Sequence, residues 1–262
     1  QVTYELEKSK PDIILSGFDI AANAAVTLAG AHMNIPVAHI QGGEVTGTID
    51  ESIRHSMSKF AHYHFAANQD ACDRLIKMGE MQERVFNVGC PSIDAILAVR
   101  DSQDVIEKYG LSKPYFLLIQ HPVTSEIKKS TKQIQITLEA IKQSSINVLI
   151  ILPNNDAGYS SIIEQINSSN IKSVKTLSID DYVNLLRHSS GLIGNSSSGI
   201  HEAASFDVPV VNVGTRQQGR LRPENVIDVD HDVKEIISAV KQCEDIKEKQ
   251  TGRSNKHNVI IL

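Results

Sequence analysis

Short apolar runs alternate with longer stretches of helical periodicity along almost the whole chain. The runs at 12–16, 36–40, 62–67, 85–88, 115–119, 147–152, 174–176, 191–193 and 209–213 have the length and composition of strands. Helical patterns fill the gaps at 21–32, 49–60, 70–77, 92–100, 130–143, 160–167, 179–187 and 200–206, and residues 2–8 read as the tail of another helix. Strand, helix, strand in this order predicts an α/β fold with parallel sheets. A polar stretch at 101–113, with Tyr109-Gly110 and Lys113-Pro114 as boundary signals, separates two groups of strands. A hinge is expected there. It would divide an N-terminal domain (1–105) from a C-terminal one (106–245), with a tail (246–262) expected to pack back on the N-terminal domain. The C-terminal group holds about five strands and reads as a complete nucleotide-binding half. The N-terminal group begins at Lys10-Pro11-Asp12, a segment that usually sits well inside such a domain, so that domain is expected to be incompletely represented.

Composition narrows the class. The chain has 262 residues, 41% hydrophobic and 22% charged, with a formal net charge of −5, which is ordinary for a globular protein and argues against a nucleic-acid partner. No apolar run approaches the ~18 residues a membrane span needs. Three widely spaced cysteines, Cys72, Cys90 and Cys243, show no metal-ligand pattern, and a reducing compartment is the simplest reading.

Candidate chemistry concentrates in four places. In the first, the run at 192–193 ends in Gly194-Asn195-Ser196-Ser197-Ser198-Gly199, followed by a helix-like segment carrying Glu202 and a second apolar run closing in Gly214-Thr215-Arg216. Such a βαβ unit offers backbone N–H groups and a positive dipole end to an anion, and Arg216 supplies a planar, permanently charged fork. An ordinary N-capped crossover has the same spelling. The second place is the glycine-rich loop after the strand at 36–40. It carries His39, Gln41 and Glu44, and then Asp50, Glu51 and Arg54 on the next helix, where Asp50 and Arg54 share one face. Carboxylates and a histidine in one cleft suit proton abstraction beside a leaving group. Third is His121, which directly follows the strand at 115–119 and taken alone reads equally as a capping histidine. Fourth is Pro153-Asn154-Asn155-Asp156-Ala157-Gly158, which ends the next strand and by itself reads as a loop.

The blocks HIQGGEVTGTIDESIRH, QHPVT, PNNDAG, GNSSSGIHEA and GTRQQGR, running in order from residue 39 to 220, together resemble the hydrolysing UDP-N-acetylglucosamine 2-epimerases of sialic-acid and related nonulosonic-acid biosynthesis. The resemblance implies two Rossmann-like domains facing a cleft, the GT-B-like architecture of glycogen-phosphorylase-like glycosyltransferases. It also implies a homodimer or homotetramer with a UDP-sugar substrate and no redox cofactor, while the cysteine pattern leads to the expectation of a cytoplasmic protein without a metal. The implied reaction is loss of UDP with removal of the C2 proton, then hydration with inverted configuration at C2. By the same resemblance Ser196, Ser197 and Ser198 match the diphosphate turn, Glu202 the ribose contact, Arg216 a cleft arginine, and Asn154 and Asp156 the loop beside uracil and ribose. His121 matches a cleft histidine near phosphates and sugar, and His39, Asp50 and Arg54 match sugar-side residues.

Three departures from the family pattern bear on the chemistry. Gly17-Phe18-Asp19 stands where many members have Gly-Asp-Arg, so Asp19 is the nearest substitute for the usual aspartate. Gln41 replaces a glutamate and cannot act as a base, which leaves Glu44, Asp50 or Asp19. The family's N-terminal stretch, with its basic residue, is absent from the sequence. The same chemistry on a UDP-2,4-diacetamido-2,4,6-trideoxy sugar, a non-hydrolysing epimerase and an inactive UDP-sugar-binding protein are the competing readings. The GGEVTG and QHPVT spellings favour the hydrolysing branch.

Overall fold

The computed structural model describes residues 1–17, 21–46 and 49–251 and divides them into two compact units, one ending at Pro91 and the other from Ser92 onward. The first unit runs α1 (Val2–Ser9), β1 (Ile14–Gly17), α2 (Ala21–His32), β2 (Val37–Ile40), α3 (Ile49–Phe60), β3 (Tyr63–Ala66), α4 (Gln69–Lys77) and β4 (Val85–Asn87). Its strands pair in parallel in chain order, β1-β2-β3-β4. On one face Ile14, Ser16, Val37, His39 and His64 are buried. Helix α2 lies so close to this face that a Cβ on Gly30 would collide with Ile14. On the other face Leu15 and Tyr63, both in register with Ala38, and Phe86, opposite Phe65, are 65%, 40% and 41% exposed. Helix α4 is started by Asn68, whose Oδ1 accepts the Ala71 N–H at 2.9 Å.

The second unit runs α5 (Pro91–Leu97), α6 (Asp104–Lys108), β5 (Phe116–Ile119), α7 (Ser130–Ser144), β6 (Val148–Ile151), α8 (Tyr159–Ser168), β7 (Ser173–Val174), α9 (Ile179–His188), β8 (Gly191–Gly194), β9 (Val210–Val213), β10 (Val226–Val229) and α10 (Val233–Thr251). All six strands are parallel, in the order β10-β9-β8-β5-β6-β7. From β5 the chain builds outward through β6 and β7, then returns to the other side for β8, β9 and β10. The reversal lies between β5 and β8, and in sheets of this kind ligands bind beyond the carboxyl ends of the strands at that point. Both faces are covered. Phe116, Leu118, Ile150, Ile193 and Val211 pack with Ile134, Ile162 and Ile236 on one side. Tyr115, Leu117, Leu149 and Leu192 pack with Leu185 and Leu186 on the other. Each such side chain, fully buried, contributes about 1.5–3 kcal/mol.

The structure departs from the sequence pattern in several places. Strand β10 has no counterpart in the apolar runs, because its residues are only half-buried and Asp228 interrupts them. The segment expected as a helix at 200–206 consists of two 3₁₀ turns, Ser197–Gly199 and Ala203–Phe206, joined by hydrogen bonds from His201 to Ser197 O and from Glu202 to Ser198 O. The polar stretch at 101–113 contains α6, and it is tied to α9. The Asn184 side chain bonds the Ser102 N–H and the Arg100 carbonyl, and Lys108 and Tyr109 both reach Asp181. Residues 246–251 continue α10, and the remainder of the expected tail lies outside the described residues. All three cysteines are free. Among the described residues no helix is long and apolar enough to cross a membrane.

Gly194, the last residue of β8, has φ +124°, and a Cβ there would collide with the Ile119 carbonyl. Gly194→Ala is expected to cost at least ~1–3 kcal/mol from backbone strain alone. A chemical-denaturation midpoint equal to that of the unsubstituted protein would show that the strand end tolerates a side chain.

Candidate functional site

Asn195 organises the carboxyl end of the second sheet. Its side-chain amide grips the residue after β5 at two points. Oδ1 accepts the His121 N–H at 2.7 Å and Nδ2 donates to the His121 carbonyl at 2.9 Å. Its own carbonyl accepts from Arg216 Nη1 at 3.2 Å and from Gln217 Nε2 at 2.8 Å. The ends of β5, β8 and β9 are therefore joined through one buried asparagine. The end of β6 joins through Asn154, whose Oδ1 is 2.9 Å from His121 Nδ1 and whose Nδ2 donates to Asp156 Oδ2 at 2.8 Å. Arg216 Nη2 lies 3.8 Å from the same Asp156 oxygen. His121, Asn154, Asp156 and Arg216 thus form one cluster, placed at the switch point that the strand order marks. The His121 imidazole is driven down to a pKa of about 4, first by burial and then by the Arg216 cation, so it is neutral at pH 7.

The serine turn borders this cluster. Ser196 Oγ accepts the Ser198 N–H at 3.3 Å and Ser196 O accepts the Gly199 N–H at 3.1 Å, so the N–H groups of Ser196 and Ser197 stay outside the turn's own bonds. Because the segment is built of 3₁₀ turns rather than one helix, aligned-dipole stabilisation of an anion is smaller than the sequence suggests, and local N–H and hydroxyl donors with Arg216 carry more of it. The Ser198 hydroxyl bonds the Tyr182 hydroxyl of α9. Burial holds the Glu202 carboxyl above its ordinary range, and its Oε2 is buried without a partner. The same burial pushes the Tyr182 phenol well up. A buried acceptor with spare capacity is suited to a ligand hydroxyl.

In the first unit the glycine loop after β2 is held from three sides. A Cβ on Gly43 (φ +83°) would strike the Ala71 carbonyl. Arg74 donates to the Gly43 carbonyl at 2.7 Å, and Glu51 accepts the Thr46 N–H at 2.8 Å. Arg54, 3% exposed, donates to the Glu44 carbonyl at 2.8 Å. Asp50 lies in the first turn of α3, half-buried. His39 is fully buried beneath α3, with Nδ1 3.0 Å from Ser58 Oγ, and Ser58 in turn donates to the Arg54 carbonyl. Gln41 adopts a left-handed backbone (φ +59°), and its amide donates to Cys90 Sγ at 2.6 Å. Asp19 lies outside the described residues. Asn195, Gln217, Tyr182 and Arg74 were not singled out from the sequence; all four act through backbone or through partners distant in the chain.

A family model described as UDP-N-acetylglucosamine 2-epimerase matches residues 1–259. The chain belongs to the UDP-N-acetylglucosamine 2-epimerase family. It is 40% identical over 249 residues to a UDP-N,N'-diacetylbacillosamine 2-epimerase (hydrolyzing) of Legionella pneumophila, covering 92% of this chain and 66% of that protein. Over 243 residues it is 34% identical to a UDP-N-acetylglucosamine 2-epimerase of Neisseria meningitidis, covering 90% and 64%. The chain thus spans just under two thirds of the length of these relatives. The fold matches the Methanocaldococcus jannaschii UDP-GlcNAc 2-epimerase solved with UDP-GlcNAc and UDP (TM-score 0.79, 18% identity, 96% of this chain and 79% of that one). It also matches the Neisseria meningitidis enzyme solved with UDP-GlcNAc (TM-score 0.77, 23% identity, 98% and 74%). Those likenesses establish two Rossmann-like units with parallel sheets as the fold of this family member.

In this family member the depressed His121 pKa has a consequence for acid stability. An ordinary histidine titrates near 6.5, and in the folded protein His121 does so at about 4. Between those values the unfolded chain binds a proton that the folded chain refuses, so this residue's contribution to stability declines as pH falls from about 6.5 through about 4. His121→Gln, which cannot titrate, is expected to lose less stability than the unsubstituted protein between pH 7 and pH 4.5 in urea denaturation. Equal losses would remove the assignment.

Proposed function

We propose that the protein is a hydrolysing 2-epimerase of a UDP-linked 2-acetamido sugar, acting in nonulosonic-acid biosynthesis. The observation that carries this reading is the cluster at the β5/β8 switch point, where Arg216, the serine turn and a neutral His121 are fixed to one another through Asn195. The diphosphate would lie against Ser196, Ser197 and Ser198, with Arg216 neutralising it through charge-assisted hydrogen bonds. Glu202 would accept from the ribose hydroxyls, and Asn154 and Asp156 would border the nucleoside.

The reaction proceeds by elimination and then hydration. A base takes the C2 proton, the C1–O bond breaks with its electrons leaving on UDP, and a C1=C2 double bond forms. Water then supplies hydroxyl to C1 and a proton returns to C2 from the opposite face, releasing the free 2-epimeric sugar. The carboxylates available to the glycine loop are Glu44 and Asp50, with Asp19 as the third candidate. Arg54 would stabilise negative charge there, and His39 would support the loop. Gln41 offers hydrogen bonding only. Two substrates fit this chemistry, UDP-N-acetylglucosamine and its 2,4-diacetamido-2,4,6-trideoxy analogue. The 40% identity to the diacetylbacillosamine enzyme, against 34% to the N-acetylglucosamine enzyme, favours the analogue.

The test is incubation of the full-length protein with each UDP-sugar and identification of the products by NMR. Free manno-configured sugar plus UDP is expected. An intact epimeric UDP-sugar would assign the non-hydrolysing reaction instead, and UDP binding without turnover would reduce the protein to a binder. In calorimetry Arg216→Ala is expected to weaken UDP binding by about 1.5–3 kcal/mol, roughly ten- to a hundredfold. Asp50→Asn is expected to lower kcat with little change in UDP affinity. Normal turnover by that variant would move the base to Glu44 or Asp19.

A further inference from the structure

His121 Nδ1 meets two groups that make opposite demands. The Asn154 side-chain Oδ1, at 2.9 Å, requires a proton on Nδ1. The Asn154 backbone N–H, at 3.2 Å, requires a lone pair there. The orientation of the Asn154 amide decides between them. Its Nδ2 donates to Asp156 Oδ2 at 2.8 Å, and a carboxylate only accepts, so the NH2 end must face Asp156 and the oxygen must face the imidazole. Turning the amide over would set its oxygen against a carboxylate and its NH2 against a ring that also faces the backbone N–H. Arg216, 3.8 Å from the same Asp156 oxygen, holds that carboxylate in place. The shorter, charge-anchored contact therefore prevails.

We propose that Asp156 and Asn154 are positioning residues that hold His121 as the Nδ1–H tautomer, leaving Nε2 a neutral acceptor for a donor group of the ligand, a hydroxyl or an amide N–H, rather than a clamp for phosphate oxygens. Among the described residues nothing bonds Nε2. A bare Nε2 repels a phosphate oxygen and accepts from a sugar hydroxyl or an acetamide N–H, which divides the labour with Arg216: the guanidinium takes the anion and the imidazole takes a donor. The ligand assignment rests on the UDP-sugar reading of the site, whereas the tautomer does not.

Long-range ¹H–¹⁵N NMR of the imidazole nitrogens at pH 7.5, with the His121 signals assigned by their loss in His121→Gln, tests this directly. The expected pattern is a protonated Nδ1 and a bare Nε2 without ligand, unchanged with saturating UDP. Asp156→Ala, at an exposed loop, is expected to free the Asn154 amide and give a mixture of tautomers. A protonated Nε2 in the free protein, an imidazolium on adding UDP, or an Asp156→Ala spectrum identical to the parent would each overturn the proposal. Failure of UDP to bind at all would sink the functional reading and leave the tautomer measurement standing on the free protein.

Discussion

Two hydrogen bonds made by one asparagine hold the carboxyl end of the second sheet together. The Asn195 amide satisfies both the N–H and the carbonyl of His121, and so locks the residue after β5 to the residue after β8. This is the point where the strand order reverses, and the adjoining loops would otherwise separate, because no crossover passes between these two strand ends. The Asn195 carbonyl extends the lock to Arg216 and Gln217 beyond β9. The geometry is possible only because Gly194 turns with a positive φ directly against the Ile119 carbonyl. Backbone conformation, buried amide and cationic side chain form a single arrangement there, and disturbing one displaces the others.

Burial divides the electrical character of that end. His121 is kept neutral beside a permanent cation, whereas burial raises the Glu202 carboxyl pKa against the opposing pull of the Ser198 hydroxyl and Arg220. Desolvation is the largest cause in both cases, and it acts in opposite senses because one group is charged when protonated and the other when deprotonated. At neutral pH the fixed positive charge beside the serine turn is therefore that of Arg216, with His121 contributing none.

Most of the fold was legible in the sequence because a parallel sheet buried on both faces needs uninterrupted apolar runs, and β5, β6, β8 and β9 are such runs. Strand β10 was not, since it is half-buried and carries Asp228. The segment after the serine turn was read as a helix from its apolar spacing, yet the close approach of Gly199 to Val210 accompanies a tighter 3₁₀ winding. At the site, His121 and Arg216 were visible as charged or titratable residues at strand ends. Asn195 was visible only as a turn residue, because its partner lies 74 positions away and an asparagine after a glycine has a sufficient local explanation. His39 looked like a cleft residue for the converse reason. It follows a strand closely, and only the packing of α3 shows that its ring is covered.

The prior restraint of Arg216 bears on the thermodynamics of recognition. Its guanidinium is already anchored to the Asn195 carbonyl and drawn toward Asp156, with its side chain 13% exposed. A free arginine forfeits up to ~2 kcal/mol of rotamer freedom when it is immobilised. Here that loss falls on folding, so an anion bound as proposed would meet a fork of fixed orientation, with little further ordering of the protein to offset each new contact.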